Sequence, residues 1–211
     1  MLEIKGILFD LDGTVIDSER LYQKAEIKLF KEYGIDIPDE DWKIFRGCSE
    51  QNFYKISMKR YNIKEQREIF IEKGRQYIKK EFKSSLSYKN SFKDFYNYIK
   101  YKYKLGLVTA SPKHSFDYVD SILGITNYFK NVITNDDCKN SKPHPEPYLK
   151  MMYLLNLDPR ETLIIEDSIN GISSAKAAGA NVVSITGSID IKDMPIVFRV
   201  IEDFNELRDI V

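Results

Sequence analysis

Apolar residues along this chain change their spacing twice. Ile7, Leu8 and Phe9 form a short continuous run near the start, the pattern of a buried strand within residues 1–10. From about residue 17 to 83 the spacing is helical. Leu21, Ala25 and Leu29 fall at i, i+4 and i+8, one face of a helix, and Gly34 follows as a plausible stop. Asp39 in "IPDEDW" offers an N-cap for a second helix. "GCSEQNFYKISMKRY" reads as a third, with Ser49 as its cap, and residues 64–82 as a fourth. Helices in sequence with no strand between them predict a bundle.

From about residue 91 helix and strand alternate. "SFKDFYNYIKYK" is helical and "LGLVT" a short apolar strand. "SPKHSFDYVDSIL" predicts a helix capped by Ser111, with Pro112 at its first position. "NVITN" is a weak strand, "HPEPYLKMMYLL" a helix and "TLIIE" a strong buried strand. "SINGISSAKAAG" is a helix ending at Gly179, "NVVSIT" a strand and "DFNELRDI" a closing helix. Such alternation predicts an α/β fold, a Rossmann-like parallel sheet joined by helical crossovers. The helical block is then an insertion after the first strand. The expected organisation is a core of residues 1–16 and 87–211 and an inserted helical domain of 17–86, hinged near 15–17 and 83–88.

Composition narrows the class. Of 211 residues, 43% are hydrophobic and 30% charged, as in a soluble globular protein. Lys+Arg and Asp+Glu both number 32, so no net charge draws the chain to nucleic acid or to an anionic membrane. Cys48 and Cys138 lack the spacing of a metal or redox motif and read as free thiols in a reducing compartment. The first residues enter a strand with no basic-then-apolar leader, and no apolar run reaches membrane-helix length. A cytoplasmic protein is the expectation.

Four polar clusters follow four apolar strands: Asp10 and Asp12, Thr109 and Ser111, Lys142 in "NSKPHPEPY", then Glu166 and Asp167. In parallel sheets ligands bind beyond the carboxyl ends of the strands, so these clusters share one edge. Each alone has a plain alternative. Strand-end hydroxyls often only cap helices, which holds for Thr109 and Ser111 as well. His114 and His144 read as surface or loop residues and Trp42 as core.

Together the clusters are chemically complete. Carboxylates from two strand ends, without a His/Cys cluster, suit a hard oxygen-preferring cation such as Mg²⁺. A lysine and a hydroxyl suit a phosphoryl group, whose oxygens must be neutralised and held. Backbone N–H groups after Thr109 add an anion site. A carboxylate without a Ser, Cys or His competitor is the natural covalent nucleophile. Asp10 and Asp12 would share one face if the strand continued, but a turn beginning at Gly13 lets Asp12 reach a leaving oxygen.

"DLDGT", "VTAS", "SKPHPEPY" and "IIEDSINGISSAKAAG" resemble, in order, the four motifs of the haloacid dehalogenase-like (HAD) phosphohydrolase superfamily. The resemblance runs to about Ser184, and the helical insertion is similar to the cap of the subgroup that holds sugar-phosphate phosphatases and β-phosphoglucomutase. It implies that Asp10 is the nucleophile forming an aspartyl-phosphate and also a Mg²⁺ ligand. Asp12 is implied as the acid/base, its backbone carbonyl a second metal ligand. Thr109 and the N–H of Ala110 are implied to bind phosphate, with Ser111 beside them, and Lys142 to neutralise nucleophile and phosphate. Asp167 is implied as a metal ligand and Glu166 as one acting through water.

Asp12 separates the chain from the dehalogenases, because an alkoxide leaves poorly unless it is protonated. Thr14 and Tyr22 stand where the mutases of this subgroup carry valine and histidine, and "DSERLY" resembles the sugar-phosphate phosphatases. Ser141 stands where the third motif usually has glycine. Arg46, Gly47 and Ser49 in "FRGCSE" resemble a cap segment that faces substrate; a helix end followed by a cap explains them equally. The expectation is a Mg²⁺-dependent phosphatase acting on a small phosphorylated metabolite, a sugar phosphate by preference, as a monomer or weak homodimer without nucleic-acid or membrane partners. A phosphoglucomutase-type isomerase is the alternative within the family. A non-catalytic phospho-aspartate regulatory domain, like the receivers of signalling proteins, is the alternative outside it.

Overall fold

The computed structural model describes residues 3–45, 48, 50–187, 189 and 195–211. The chain divides into two compact units, one of Met1–Asp17 with Ser87–Val211 and one of Ser18–Leu86.

The first unit is built on a parallel sheet of six strands among the described residues: β1 (Gly6–Phe9), β2 (Lys104–Val108), β3 (Val132–Ile133), β4 (Thr162–Glu166), β5 (Asn181–Ile185) and β6 (Arg199–Ile201). Their order is β3-β2-β1-β4-β5-β6, so β1 is central and the order reverses beside it. At such a reversal the connections leave the sheet in opposite directions and open a crevice at the strand ends. β1 is fully buried, as its unbroken apolar run requires.

The second unit contains α1 (Glu19–Lys31), α2 (Asp39–Phe45), α3 (Glu50–Arg60) and α4 (Arg67–Ser85). Leu21, Ala25 and Leu29 are buried, as their spacing requires, and α1 packs against α4. Its core is aromatic: Phe30 contacts Phe45, Phe53, Tyr61 and Phe70. Trp42 packs partly buried against this cluster. Asp41, 2% exposed, is held by Arg60 through two nitrogens and by the Tyr61 hydroxyl, which ties α2 to α3.

Helices α5 (Phe92–Ile99), α6 (Lys113–Leu123), α7 (Glu146–Leu155) and α8 (Ile169–Ala177) complete the first unit. On one face of the sheet Phe9 meets Phe92, Phe95, Phe129 and Phe204. On the other, Leu8 and Ile164 pack with Val108, Tyr148, Met151 and Ile172. His114 and His144 are exposed, and both cysteines are free. Among the described residues no helix is long and apolar enough to cross a membrane.

Three local expectations change. "DFNELRDI" does not close as an α-helix; it gives a 3-10 turn, Phe204–Leu207, with Asp203 and Glu206 in a capping box. β6 precedes it, a three-residue edge strand too short to show a period. Helix α6 starts at Lys113, because Pro112 is extended (ψ 156°) and supplies no side-chain cap. Ser111 therefore stands outside the helix.

Candidate active site

The register of the sheet sets the site. Phe9 pairs with Ile165, and the Asp10 N–H donates to the Ile165 carbonyl at 3.0 Å, so Asp10 and Glu166 leave adjacent strands side by side. Both stand two residues beyond Leu8 and Ile164, which share one face of the sheet. Strand periodicity gives the two acids that same face. Beyond β1 the chain turns at Gly13, whose φ of 76° suits glycine, and the Gly13 N–H closes the turn on the Ile16 carbonyl at 3.0 Å.

Lys142 reaches both acids. Its Nζ lies 2.7 Å from Asp10 Oδ1 and 2.6 Å from Glu166 Oε1, and it donates to the Val108 carbonyl at 2.9 Å. The lysine side chain is 3% exposed. Burial alone would lower its ammonium, but Asp10 and Glu166 outweigh that and hold it above its ordinary value. Tyr148 donates to the same Glu166 oxygen at 2.6 Å, and its ring lies 4.7 Å from the lysine nitrogen.

Glu166 is engaged through both oxygens. Oε2 accepts the Asp167 N–H at 3.1 Å and the Ser168 hydroxyl at 3.1 Å. A side chain at Gly171 would put a Cβ 1.9 Å from the Glu166 carboxyl carbon, so only glycine lets α8 come this near.

Asp10 carries the imbalance. Burial pushes its carboxyl up to about 8, with Glu166 and Asp12 adding to the rise and Lys142 opposing it. One oxygen from each of Asp10, Glu166 and Asp167, all buried, lies within 4.8 Å of the other two. Three carboxylates and one ammonium leave an excess of negative charge in a dry site, and an all-oxygen set fits a hard divalent cation. Thr14, fully buried, donates to Asp167 Oδ1 at 3.4 Å.

The β2 end supplies hydroxyls. Thr109 is buried, and its Oγ1 accepts the Ser111 N–H at 3.0 Å, which leaves the hydroxyl proton for another acceptor. Ser111 Oγ donates to Asp12 Oδ2 at 2.9 Å. Ala110, between them, is exposed.

Of the residues singled out in the sequence, Asp10, Lys142, Glu166 and Asp167 come together, and Asp12 meets Ser111. Arg46, Gly47 and Ser49 lie outside the described residues. The sequence reading gave no role to Tyr148, although it closes the third quoted motif, nor to Gly171 inside the fourth. Tyr148 also satisfies the apolar face of α7, which hides its hydroxyl from any pattern of spacing.

Comparison with known proteins points the same way. A family model described as haloacid dehalogenase-like hydrolase matches residues 7–185. The chain is 29% identical over 177 residues to the phosphorylated carbohydrates phosphatase of Thermotoga maritima, covering 83% of this chain and 82% of that protein. It is 28% identical over 218 residues to pyrophosphatase PpaX of Oceanobacillus iheyensis, covering 100% and 98%. A crystal structure of a candidate β-phosphoglucomutase from Thermotoga maritima superposes with a TM-score of 0.81 at 26% identity, covering 99% of this chain and 100% of the other. A HAD hydrolase of family IA, variant 3, from Entamoeba histolytica gives 0.84 at 20% identity over 96% and 95%, a likeness of fold alone.

Proposed function

The chain belongs to the haloacid dehalogenase-like hydrolases, and from that membership we propose that it is a cytoplasmic, Mg²⁺-dependent phosphatase of small phosphorylated metabolites, sugar phosphates first among them. The observation that carries the reading is the pair of acids at the exit of β1. Asp10 is bound to Lys142 at 2.7 Å and Asp12 to Ser111 at 2.9 Å, so neighbouring carboxylates have different partners and suit different tasks.

In the first step an Asp10 oxygen attacks phosphorus. The bond from phosphorus to the ester oxygen breaks, and Asp12 gives its proton to the departing alkoxide. In the second, Asp12 takes a proton from water, the hydroxide attacks phosphorus, and the bond to Asp10 breaks to release phosphate. Lys142 holds Asp10 and offsets charge on the phosphoryl oxygens, while Thr109 has its hydroxyl proton to donate to one of them. Asp10, Asp167 and the Asp12 carbonyl would hold Mg²⁺, with Glu166 acting through water; the ion would neutralise charge on the phosphoryl group. Residues 18–86 are assigned the role of a cap that limits substrate size.

The relatives' names suggest phosphorylated carbohydrates and pyrophosphate as substrates to try. The test is phosphate release from a panel of both by the wild type and by Asp10→Asn. Wild-type turnover in the variant would remove Asp10 as nucleophile. A mutase reading draws on the likeness to the candidate phosphoglucomutase, and β-glucose 1-phosphate separates the two. A phosphatase yields glucose and phosphate, whereas a mutase yields glucose 6-phosphate.

A further inference from the structure

We infer that Ser111 is a positioning residue for proton transfer by Asp12, a role that rests on the phosphatase reading above. A serine just before a helix is ordinarily a cap, but here that work is done elsewhere. The Lys113 N–H at the start of α6 is taken by Asp136 Oδ2 at 2.8 Å, and the Ser115 and Phe116 N–H groups donate to the Pro112 carbonyl. Pro112 has no N–H to offer.

The serine backbone is fixed at both ends. Its N–H goes to Thr109 Oγ1 at 3.0 Å, and its carbonyl accepts the Asn135 N–H at 3.0 Å. Thr109 is itself anchored to the Ile133 carbonyl at 2.9 Å. The hydroxyl is thus held by β2 and the turn after β3 and delivered to Asp12 Oδ2 at 2.9 Å.

A hydroxyl has one proton. While Ser111 gives it to Asp12, the side chain has none for a phosphate oxygen, so this serine does not serve as a phosphate donor in that state. What it does is distinguish the two oxygens of Asp12. Oδ2 already accepts a hydrogen bond, so a protonated Asp12 carries its proton on Oδ1, and that proton passes to the alkoxide as the phosphorus–oxygen bond breaks. Without Ser111 the carboxyl loses this hydrogen bond, and with it the mark that sets Oδ2 apart from Oδ1.

The test uses two substrates that share a phosphoryl group and differ in leaving group. An alkoxide from glucose 6-phosphate needs a proton on departure, whereas the phenolate from p-nitrophenyl phosphate needs little help. The readout is kcat/KM, which covers the steps up to loss of the leaving group. Ser111→Ala is expected to lower it about 10-fold on glucose 6-phosphate and less than about 3-fold on p-nitrophenyl phosphate. Ser111→Thr, which keeps the hydroxyl, restores most of the loss. Asp12→Asn is the benchmark and shows the same selectivity more strongly.

Equal loss on both substrates by Ser111→Ala would overturn the inference, because a phosphate contact or a folding defect affects both alike. So would failure of the threonine variant to restore activity. If the wild type releases phosphate from neither substrate, or Asp12→Asn shows no selectivity, the phosphatase reading fails and this inference with it. A selective Asp12→Asn beside an unselective Ser111→Ala removes the inference alone.

Discussion

Lys142 and Glu166 form a buried ion pair at 2.6 Å, and the same lysine nitrogen holds Asp10 at 2.7 Å, so one cation serves carboxylates from two neighbouring strands. Removing one partner of such a cluster is costly because the others stay buried without compensation. Lys142→Met is expected to lose about 3–5 kcal/mol of stability at neutral pH. It should also lose phosphatase activity, since Asp10 is then neither held nor neutralised. Urea denaturation of the variant beside the wild type measures the first effect. An unchanged midpoint would show that the lysine is not what makes the two acids tolerable there.

Gly171 gives a test in which propensity and packing predict opposite signs. Alanine in a helix is favoured over glycine by about 1 kcal/mol. At Gly171 the added Cβ would stand 1.9 Å from the Glu166 carboxyl carbon, and the glycine N–H is also bonded to Ser168 Oγ at 3.0 Å. Gly171→Ala is therefore expected to destabilise by about 1–3 kcal/mol through overpacking. Because Glu166 is what Lys142 rests on, turnover falls as well. A variant more stable than the wild type would mean that α8 has room to move away.

Buried Asp10, Glu166 and Asp167 predict a thermal response to Mg²⁺ without any substrate. Binding to the folded state alone adds about 2.7 kcal/mol at a hundredfold excess over the dissociation constant. The wild type should melt at a higher temperature in Mg²⁺ than in EDTA. Asp167→Asn should reduce that shift, and Asp10→Asn should reduce it further. A shift of equal size in all three proteins would place the ion elsewhere.

The sheet was legible because β1, β4 and β5 are buried on both faces and must be runs of apolar residues, while α5 through α8 cover them and must be amphipathic. The cluster was legible at Asp10, Glu166 and Asp167 because a charged residue at the end of an apolar strand stands out from its neighbours, and at Lys142, in the loop nine residues past β3, only through the resemblance of "SKPHPEPY". What stayed hidden is what local spacing does not encode. Strand β6 has three residues, fewer than two periods. Ser111 has the sequence of a cap, and only the approach of Asp136 from another loop releases its hydroxyl for Asp12. Tyr148 answers to the apolar face of α7 and to Glu166 at once, and the first explanation conceals the second. Each of these depends on a contact made far along the chain.

Glu26 on α1 supplies a prediction for the helical unit. Burial pushes its carboxyl from an ordinary value of 4.5 up to about 8, and Glu19 adds to the rise. An acid whose folded value is raised binds its proton more tightly folded than unfolded. It therefore costs nothing below about pH 4.5, and the cost grows as the pH climbs through the window up to about 8, where it is complete. Glu26→Gln cannot ionise and escapes that cost. Its stability relative to the wild type is expected to improve by about 2–3 kcal/mol at pH 8.5, with little difference at pH 4.5. Urea denaturation of both proteins at the two pH values measures this directly. A pH-independent difference would mean that Glu26 meets water or a donor when charged and that its burial carries no penalty.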